Sequence, residues 1–101
     1  MEKLTESEVR SRLGSVSGWA LEGDAIRRKY TFGGFPEAVA FVVRLGFDAE
    51  SADHHPDILI NYKRVTLTYS THSAGGLTVK DFEGARQAHA LAERMGAQAG
   101  A

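Results

Sequence analysis

An apolar stripe in the middle of the chain constrains the fold more than any other feature of the sequence. Apolar side chains recur there at intervals of three and four residues, at Ala38, Phe41, Val42, Leu45 and Ala49. This spacing places them on one face of an α-helix. Pro36 is compatible with the first helical turn, and Pro56 disfavours helical geometry at the residue before it. We therefore predict a helix over about residues 36–53, ending just before His54 and His55.

Runs of strand-like composition lie on both sides of this helix. Residues 19–21 and 25–32 flank a glycine turn, and residues 58–60 and 64–71 flank a second turn, so each pair predicts a hairpin. Thr5 with Glu8, and Thr78 with Asp81, have the spacing of capping boxes and predict helices over residues 6–13 and 79–95. We expect an α+β fold: a four-stranded antiparallel sheet with three helices packed on one face, in the order helix, hairpin, helix, hairpin, helix.

Length, charge and cysteine content narrow the class of protein. The chain has 101 residues, no cysteine, and 12 basic against 13 acidic residues. This length fits a single domain over residues 1–101, and the mixed charge lacks the basic surface that nucleic-acid binding needs. The longest apolar run, residues 38–43, is far shorter than the ~20 residues that span a bilayer. We expect a cytoplasmic protein without a nucleic-acid or membrane partner, because no export signal is visible and the lack of cysteine fits a reducing compartment.

Three of the four histidines lie at predicted element boundaries. His54 and His55 lie between the central helix and the next strand, and His72 ends the polar face of a strand. Histidine exchanges protons near neutral pH, so these three could serve a small-molecule site as acid and base. Surface or capping roles are the alternative, and the spacing disfavours a zinc or iron site. We expect His89, inside the last helix, to be exposed.

Two carboxylates are candidates to orient these imidazoles. Glu50 precedes His54 by four residues, so its carboxylate could reach that ring if the helix continued, although a solvated helix-end acid fits equally well. Asp81 is the third residue after Thr78, which favours a capping role at the start of the last helix.

A set of spaced positions resembles the signature of the pterin-4a-carbinolamine dehydratases. These positions are Glu50, the run His54-His55-Pro56, Tyr62, His72 and Asp81. Residues 70–78, STHSAGGLT, are similar to the Thr-His and Gly-Leu-Thr stretch of that family. The predicted element order also agrees with the family's fold over about residues 4–95.

The resemblance implies a hydro-lyase that removes water from 4a-hydroxytetrahydrobiopterin to give quinonoid dihydropterin, in tetrahydrobiopterin recycling. It implies that His54, His55 and His72 are catalytic, that Glu50 and Asp81 orient them, and that neither a metal ion nor another cofactor takes part. The reaction would link this chain functionally to an aromatic amino-acid hydroxylase.

The resemblance also implies a homodimer or homotetramer. Some relatives serve as dimerisation partners of a transcription factor, so a protein-binding module, acting as a dimerisation cofactor or coactivator, is the alternative function. The last helix carries Ala85, Ala88 and Ala92 on one face, which allows close packing on a sheet or on a partner. We expect this face to build the homo-oligomer.

Overall fold

The computed structural model describes residues 2–98, which form three α-helices and one sheet of four strands. The elements are α1 (Glu6–Leu13), β1 (Ala20–Glu22), β2 (Ala25–Thr31), α2 (Phe35–Ala52), β3 (Asp57–Asn61), β4 (Arg64–Tyr69) and α3 (Val79–Arg94), with a short 3-10 helix (His72–Ala74) before α3. The predicted α+β class and element order are confirmed. Within the described residues, no helix is long and apolar enough to cross a membrane.

The sheet has the strand order β1-β2-β4-β3, and all neighbouring strands are antiparallel. The central pair, β2 with β4, runs from Ile26 opposite Tyr69 to Thr31 opposite Arg64. Because side chains alternate along a strand, this register places the apolar residues of both strands on the same face. The buried residues on that face are Ile26, Tyr30, Val65, Leu67 and Tyr69. The helices cover this face, and the predicted stripe of α2 is confirmed in its buried residues Ala38, Phe41, Leu45 and Ala49.

A left-handed residue ends α2 immediately before the two adjacent histidines. Asp53 has φ 52° and ψ 41°, and its backbone N–H donates to the carbonyl oxygens of Ala49 and Glu50. This is the usual way in which a helix satisfies its last carbonyl groups and changes direction. The predicted end of the helix is therefore correct to within one residue, and His54 leaves the helix axis at this point.

The small residues of α3 lie inside the molecule. Ala85, Ala88 and Ala92 are fully buried in the core that α3 forms with the sheet. The expectation that this face builds the oligomer is therefore wrong, because the chain's own core already covers it.

The predicted capping box is confirmed: the Thr78 and Asp81 side chains both bond to backbone N–H groups at the start of α3.

His89 packs against the sheet and is not the exposed residue expected from the sequence. Its Nδ1 atom lies 3.1 Å from the Tyr30 hydroxyl and 3.4 Å from Nη1 of Arg28. The Arg28 guanidinium carbon lies 4.6 Å from the centre of the Tyr30 ring, at the distance of a cation–π contact. His89 thus belongs to a polar contact that joins α3 to β2.

We predict that Asp53→Val lowers the free energy of unfolding by about 1–2 kcal/mol, because a β-branched residue is strained in the left-handed region. Asp53→Gly should stay within about 1 kcal/mol of the wild type, because glycine has no Cβ to clash there. Urea unfolding measures both. Equal stability of the two variants would contradict a conformational role for this position.

Candidate active site

His54 contacts the buried carboxylate of Asp81. The His54 Nε2 atom lies 2.6 Å from Oδ1 of Asp81, and the two side chains are 14% and 0% exposed. The end of α2 delivers the histidine, and the first turn of α3 delivers the carboxylate. A hydrogen bond to an ionised group is stronger and shorter than a neutral one, and the low dielectric of the interior strengthens it further. The contact therefore fixes the His54 ring within the fold.

The second oxygen of Asp81 is also satisfied. The Thr71 hydroxyl donates to Oδ2 over 2.8 Å, and the Thr78 backbone N–H donates to the same atom over 2.9 Å. The Thr71 and Thr78 hydroxyl oxygens lie 2.9 Å apart. A buried charge is tolerated only when it is hydrogen bonded in this way. Asp81 consequently caps α3 and contacts a histidine with the same carboxylate.

The hydrogen bonds assign the tautomer of the neutral His54 ring. An ionised carboxylate has no proton to give, so His54 donates its Nε2–H to Asp81. In the neutral ring the other nitrogen, Nδ1, then carries a lone pair and no proton. This nitrogen is therefore the ring atom that can accept a proton.

Glu50 contacts His55, and the expectation that it reaches His54 is wrong. The His55 Nε2 atom lies 2.7 Å from Oε1 of Glu50, and both side chains are largely exposed. Asp53 is the physical reason: its left-handed backbone interrupts the helical spacing that would have aligned Glu50 with His54. Because the pair is solvated, salt screens it and it holds the ring less firmly than Asp81 holds His54.

His72 does not end a strand, as the sequence had indicated. β4 stops at Tyr69, and His72 begins the short 3-10 helix, where its side chain is exposed. Thr71 pairs with Gly76 across this turn, and the Gly75 N–H donates to the His72 carbonyl oxygen. Because Thr71 also donates to Asp81, the carboxylate ties the segment that carries His72 to His54.

A small pocket lies beside His54 and Tyr69. The two rings are nearly parallel, with 14° between their planes and 5.9 Å between their centres. The pocket has a volume of about 60 Å³ and is lined mainly by α2 and α3. This is far below the roughly 300 Å³ at which small-molecule sites usually begin, so a ligand of that class would lie mostly outside it. Among residues 2–98, neither His55 nor His72 lines this pocket, so the three histidine rings do not share it.

Sequence reasoning missed two residues of this site. Thr71 lies within residues 70–78, which resemble the family, but its role depends on a hydrogen bond to Asp81, ten residues later in the chain. Tyr69 has the sequence pattern of an ordinary core residue of β4, and burial raises the pKa of its hydroxyl. Its contact with His54 joins separate elements and leaves no local pattern in the sequence.

Residues 2–91 match the family described as pterin 4 alpha carbinolamine dehydratase. The chain belongs to this family. A relative from Roseiflexus sp. (strain RS-1), named "Putative pterin-4-alpha-carbinolamine dehydratase", is 49% identical over 84% of this chain and 91% of its own length. A protein of the same name from Sulfolobus acidocaldarius is 45% identical over 84% of this chain and 93% of its own length.

Solved structures of similar proteins share the fold. The crystal structure of a transcriptional coactivator/pterin dehydratase from Brucella melitensis is 39% identical, with a TM-score of 0.86 over 90% of this chain and 99% of that chain. A pterin dehydratase-like protein, identified as a RuBisCO assembly factor in the alpha-carboxysome, is 21% identical, with a TM-score of 0.60 over 73% of this chain and 86% of that chain. The second likeness concerns the fold alone. The family and fold expected from the sequence are confirmed.

We predict that Thr71→Val lowers the free energy of unfolding by about 1–3 kcal/mol, because it removes a hydroxyl donor from a buried carboxylate while keeping the side-chain shape. Thr68→Val, on the face of β4 that points away from the helices, is the matched control and should change stability by less than about 0.5 kcal/mol. Urea unfolding of both variants measures the difference. Equal losses would show that the Thr71 bond to Asp81 adds nothing specific.

Proposed function

We propose that this chain catalyses the dehydration of 4a-hydroxytetrahydrobiopterin to quinonoid dihydropterin, with its histidines exchanging protons. Family membership supports the class of reaction. The observation that carries the proposal is the hydrogen bond from His54 to the fully buried Asp81. A histidine held by a buried carboxylate is suited to accept a proton and to be stabilised in the charged form.

The reaction needs two proton transfers and no change in oxidation state. A base takes the proton from N5 of the pterin, and the electron pair on N5 forms the double bond to C4a. The bond from C4a to the hydroxyl oxygen breaks at the same time, and an acid protonates that oxygen so that it leaves as water. The pterin itself supplies the electrons, and our proposal therefore includes neither a metal ion nor a cofactor.

We assign the base to His54, through Nδ1, with Asp81 stabilising the resulting imidazolium. His55 and His72 are exposed and can exchange protons with water, so we assign to them the supply of the proton to the leaving hydroxyl. Glu50 orients His55 in this scheme. Because the pocket beside His54 is small, the bicyclic substrate would lie across the surface that these side chains border.

The proposal extends to the setting of the reaction. An aromatic amino-acid hydroxylase converts its pterin cofactor to the 4a-hydroxy form. We therefore propose a functional link to such a hydroxylase and a role in tetrahydrobiopterin recycling. The absence of cysteine fits a reducing compartment, which supports a cytoplasmic location.

We predict that His54→Gln, His55→Ala and His72→Ala each slow enzymatic dehydration, by about 10²-fold to 10⁴-fold for a histidine that transfers a proton in the transition state. The measurement follows the decay of freshly generated 4a-hydroxytetrahydrobiopterin, with and without protein, in the presence of a metal chelator. Circular dichroism checks that each variant is folded.

His89→Ala is the matched control, because His89 is the remaining histidine and contacts Tyr30 on β2. Its turnover should stay near that of the wild type. If the wild-type chain does not exceed the spontaneous rate, or if the three site variants keep full turnover, the proposed function is wrong.

We also propose that the chain forms a homodimer or homotetramer through α2. Val43 and Phe47 lie one turn apart on this helix and are 56% and 69% exposed. Exposed apolar side chains that form a patch mark interaction surfaces. A chain of 101 residues buries a modest fraction of its surface on folding, so covering this patch with a second copy would add stability.

We predict that Phe47→Glu shifts the sedimentation-equilibrium mass from a multiple of 11.0 kDa toward 11.0 kDa, because it places a carboxylate in an apolar contact. Ser11→Glu, which adds the same charge to exposed α1, should leave the mass unchanged. A Phe47→Glu variant with the wild-type mass would exclude α2 as the contact surface.

The same exposed surface of α2 favours the second candidate function, a protein-binding module. The relative from Brucella melitensis is described as a transcriptional coactivator as well as a pterin dehydratase. A wild-type chain that is monomeric alone and does not accelerate dehydration would favour this alternative over the enzyme.

A further inference from the structure

Gly84 lies in the interior of α3, where glycine costs roughly 0.5–1 kcal/mol relative to alanine. The space around it explains why a glycine stands there. A Cβ atom at this position would lie 2.6 Å from Cε1 and 2.8 Å from Cζ of Tyr69. Carbon atoms that are not bonded to each other do not approach this closely. The aromatic ring of Tyr69 therefore occupies the volume that a side chain at position 84 would fill.

The Tyr69 ring contacts two other aromatic rings and borders the small pocket beside His54. It projects from the inner face of β4 and is almost completely buried. The Trp19 ring lies 5.8 Å from it, and the His54 ring lies nearly parallel to it at 5.9 Å. Close-packed interiors transmit a displacement to their neighbours, so a shift of Tyr69 would reach His54.

Two contacts together define the orientation of His54. The hydrogen bond from Nε2 to Asp81 holds one ring atom, but it does not by itself fix the plane of the ring against rotation about the Cβ–Cγ bond. The nearly parallel face of Tyr69 restricts this rotation. The direction of the Nδ1 lone pair then depends on both Asp81 and Tyr69.

We propose that Tyr69 is a positioning residue for His54, and that Gly84 provides the space in which Tyr69 takes this place. The inference rests on the proposed function, in which His54 takes up the substrate proton. The aromatic face of Tyr69 is the part that acts, and its hydroxyl has no role as an acid in this assignment.

The test compares two glycine-to-alanine changes in helix interiors. Gly84→Ala introduces the methyl group that overlaps Tyr69, whereas the methyl group of Gly46→Ala in α2 has no atom within 4 Å beyond the adjoining residues and the local helix backbone. A misplacement of about 1 Å costs up to roughly 10²-fold in rate, so we expect kcat of Gly84→Ala to fall by about 10-fold to 100-fold. We expect its KM to stay within about twofold, and Gly46→Ala to keep the wild-type kcat.

Proton NMR supplies a readout that does not depend on activity. The aromatic ring of Tyr69 shifts the resonances of the His54 ring protons, so Gly84→Ala should move these resonances and Gly46→Ala should not. Tyr69→Phe keeps the ring and should preserve both the resonances and kcat. Tyr69→Leu should shift the His54 resonances and lower kcat. Adding Gly84→Ala to Tyr69→Leu should lower kcat no further, because the methyl group then has no ring to displace.

A folded Gly84→Ala variant with wild-type His54 resonances and kcat would overturn the inference. If Gly84→Ala does not fold, the comparison of Tyr69→Phe with Tyr69→Leu decides, and wild-type behaviour of Tyr69→Leu overturns it. Failure of the proposed function is distinguishable, because it would show as a wild-type chain without dehydratase activity, while the NMR comparison still reports the position of His54.

Discussion

Burying the Asp81 carboxylate is costly unless every lone pair that water would have satisfied finds a donor in the protein. The donors come from three separate segments: His54 after α2, Thr71 after β4, and the backbone of Thr78 before α3. Each of the three hydrogen bonds reduces the cost of burying the carboxylate, and so makes the other two bonds more favourable. This dependence brings the end of a helix, the end of a strand and the start of a helix together at the candidate site.

Local signals in the sequence were sufficient for the elements and for the two hairpins, and insufficient for the pairing of one hairpin with the other. The stripe of α2 and the two capping boxes depend on residues three or four apart, so they predict helices without any knowledge of the fold. The central pairing of β2 with β4 joins Ile26 to Tyr69, more than forty residues apart. It depends on both strands presenting bulky apolar side chains to the same helices, which only the assembled core decides.

The candidate site shows the same division at the level of single residues. Proton-exchanging histidines next to element boundaries were recognisable as a class, and the resemblance to the family selected the same positions. The carboxylate that contacts each histidine was not predictable from the sequence. The left-handed backbone of Asp53 changes the direction of the chain, so that Glu50 contacts His55 instead of His54. Likewise, alanines on one face of α3 are compatible with a protein core or with an interface. In the structure they pack into the core, against the bulky side chains of the sheet.

The contrast between the histidines suits the chemistry that we propose. A base must meet one substrate atom in a defined direction, and His54 is the partly buried ring that is both bonded to a buried carboxylate and stacked on Tyr69. A group that delivers a proton in each cycle must recover it from water, and His55 and His72 are exposed. If all three rings were exposed, none would be held as firmly as Asp81 holds His54. The fold separates these requirements by placing Asp81 under one histidine and solvent over the other two.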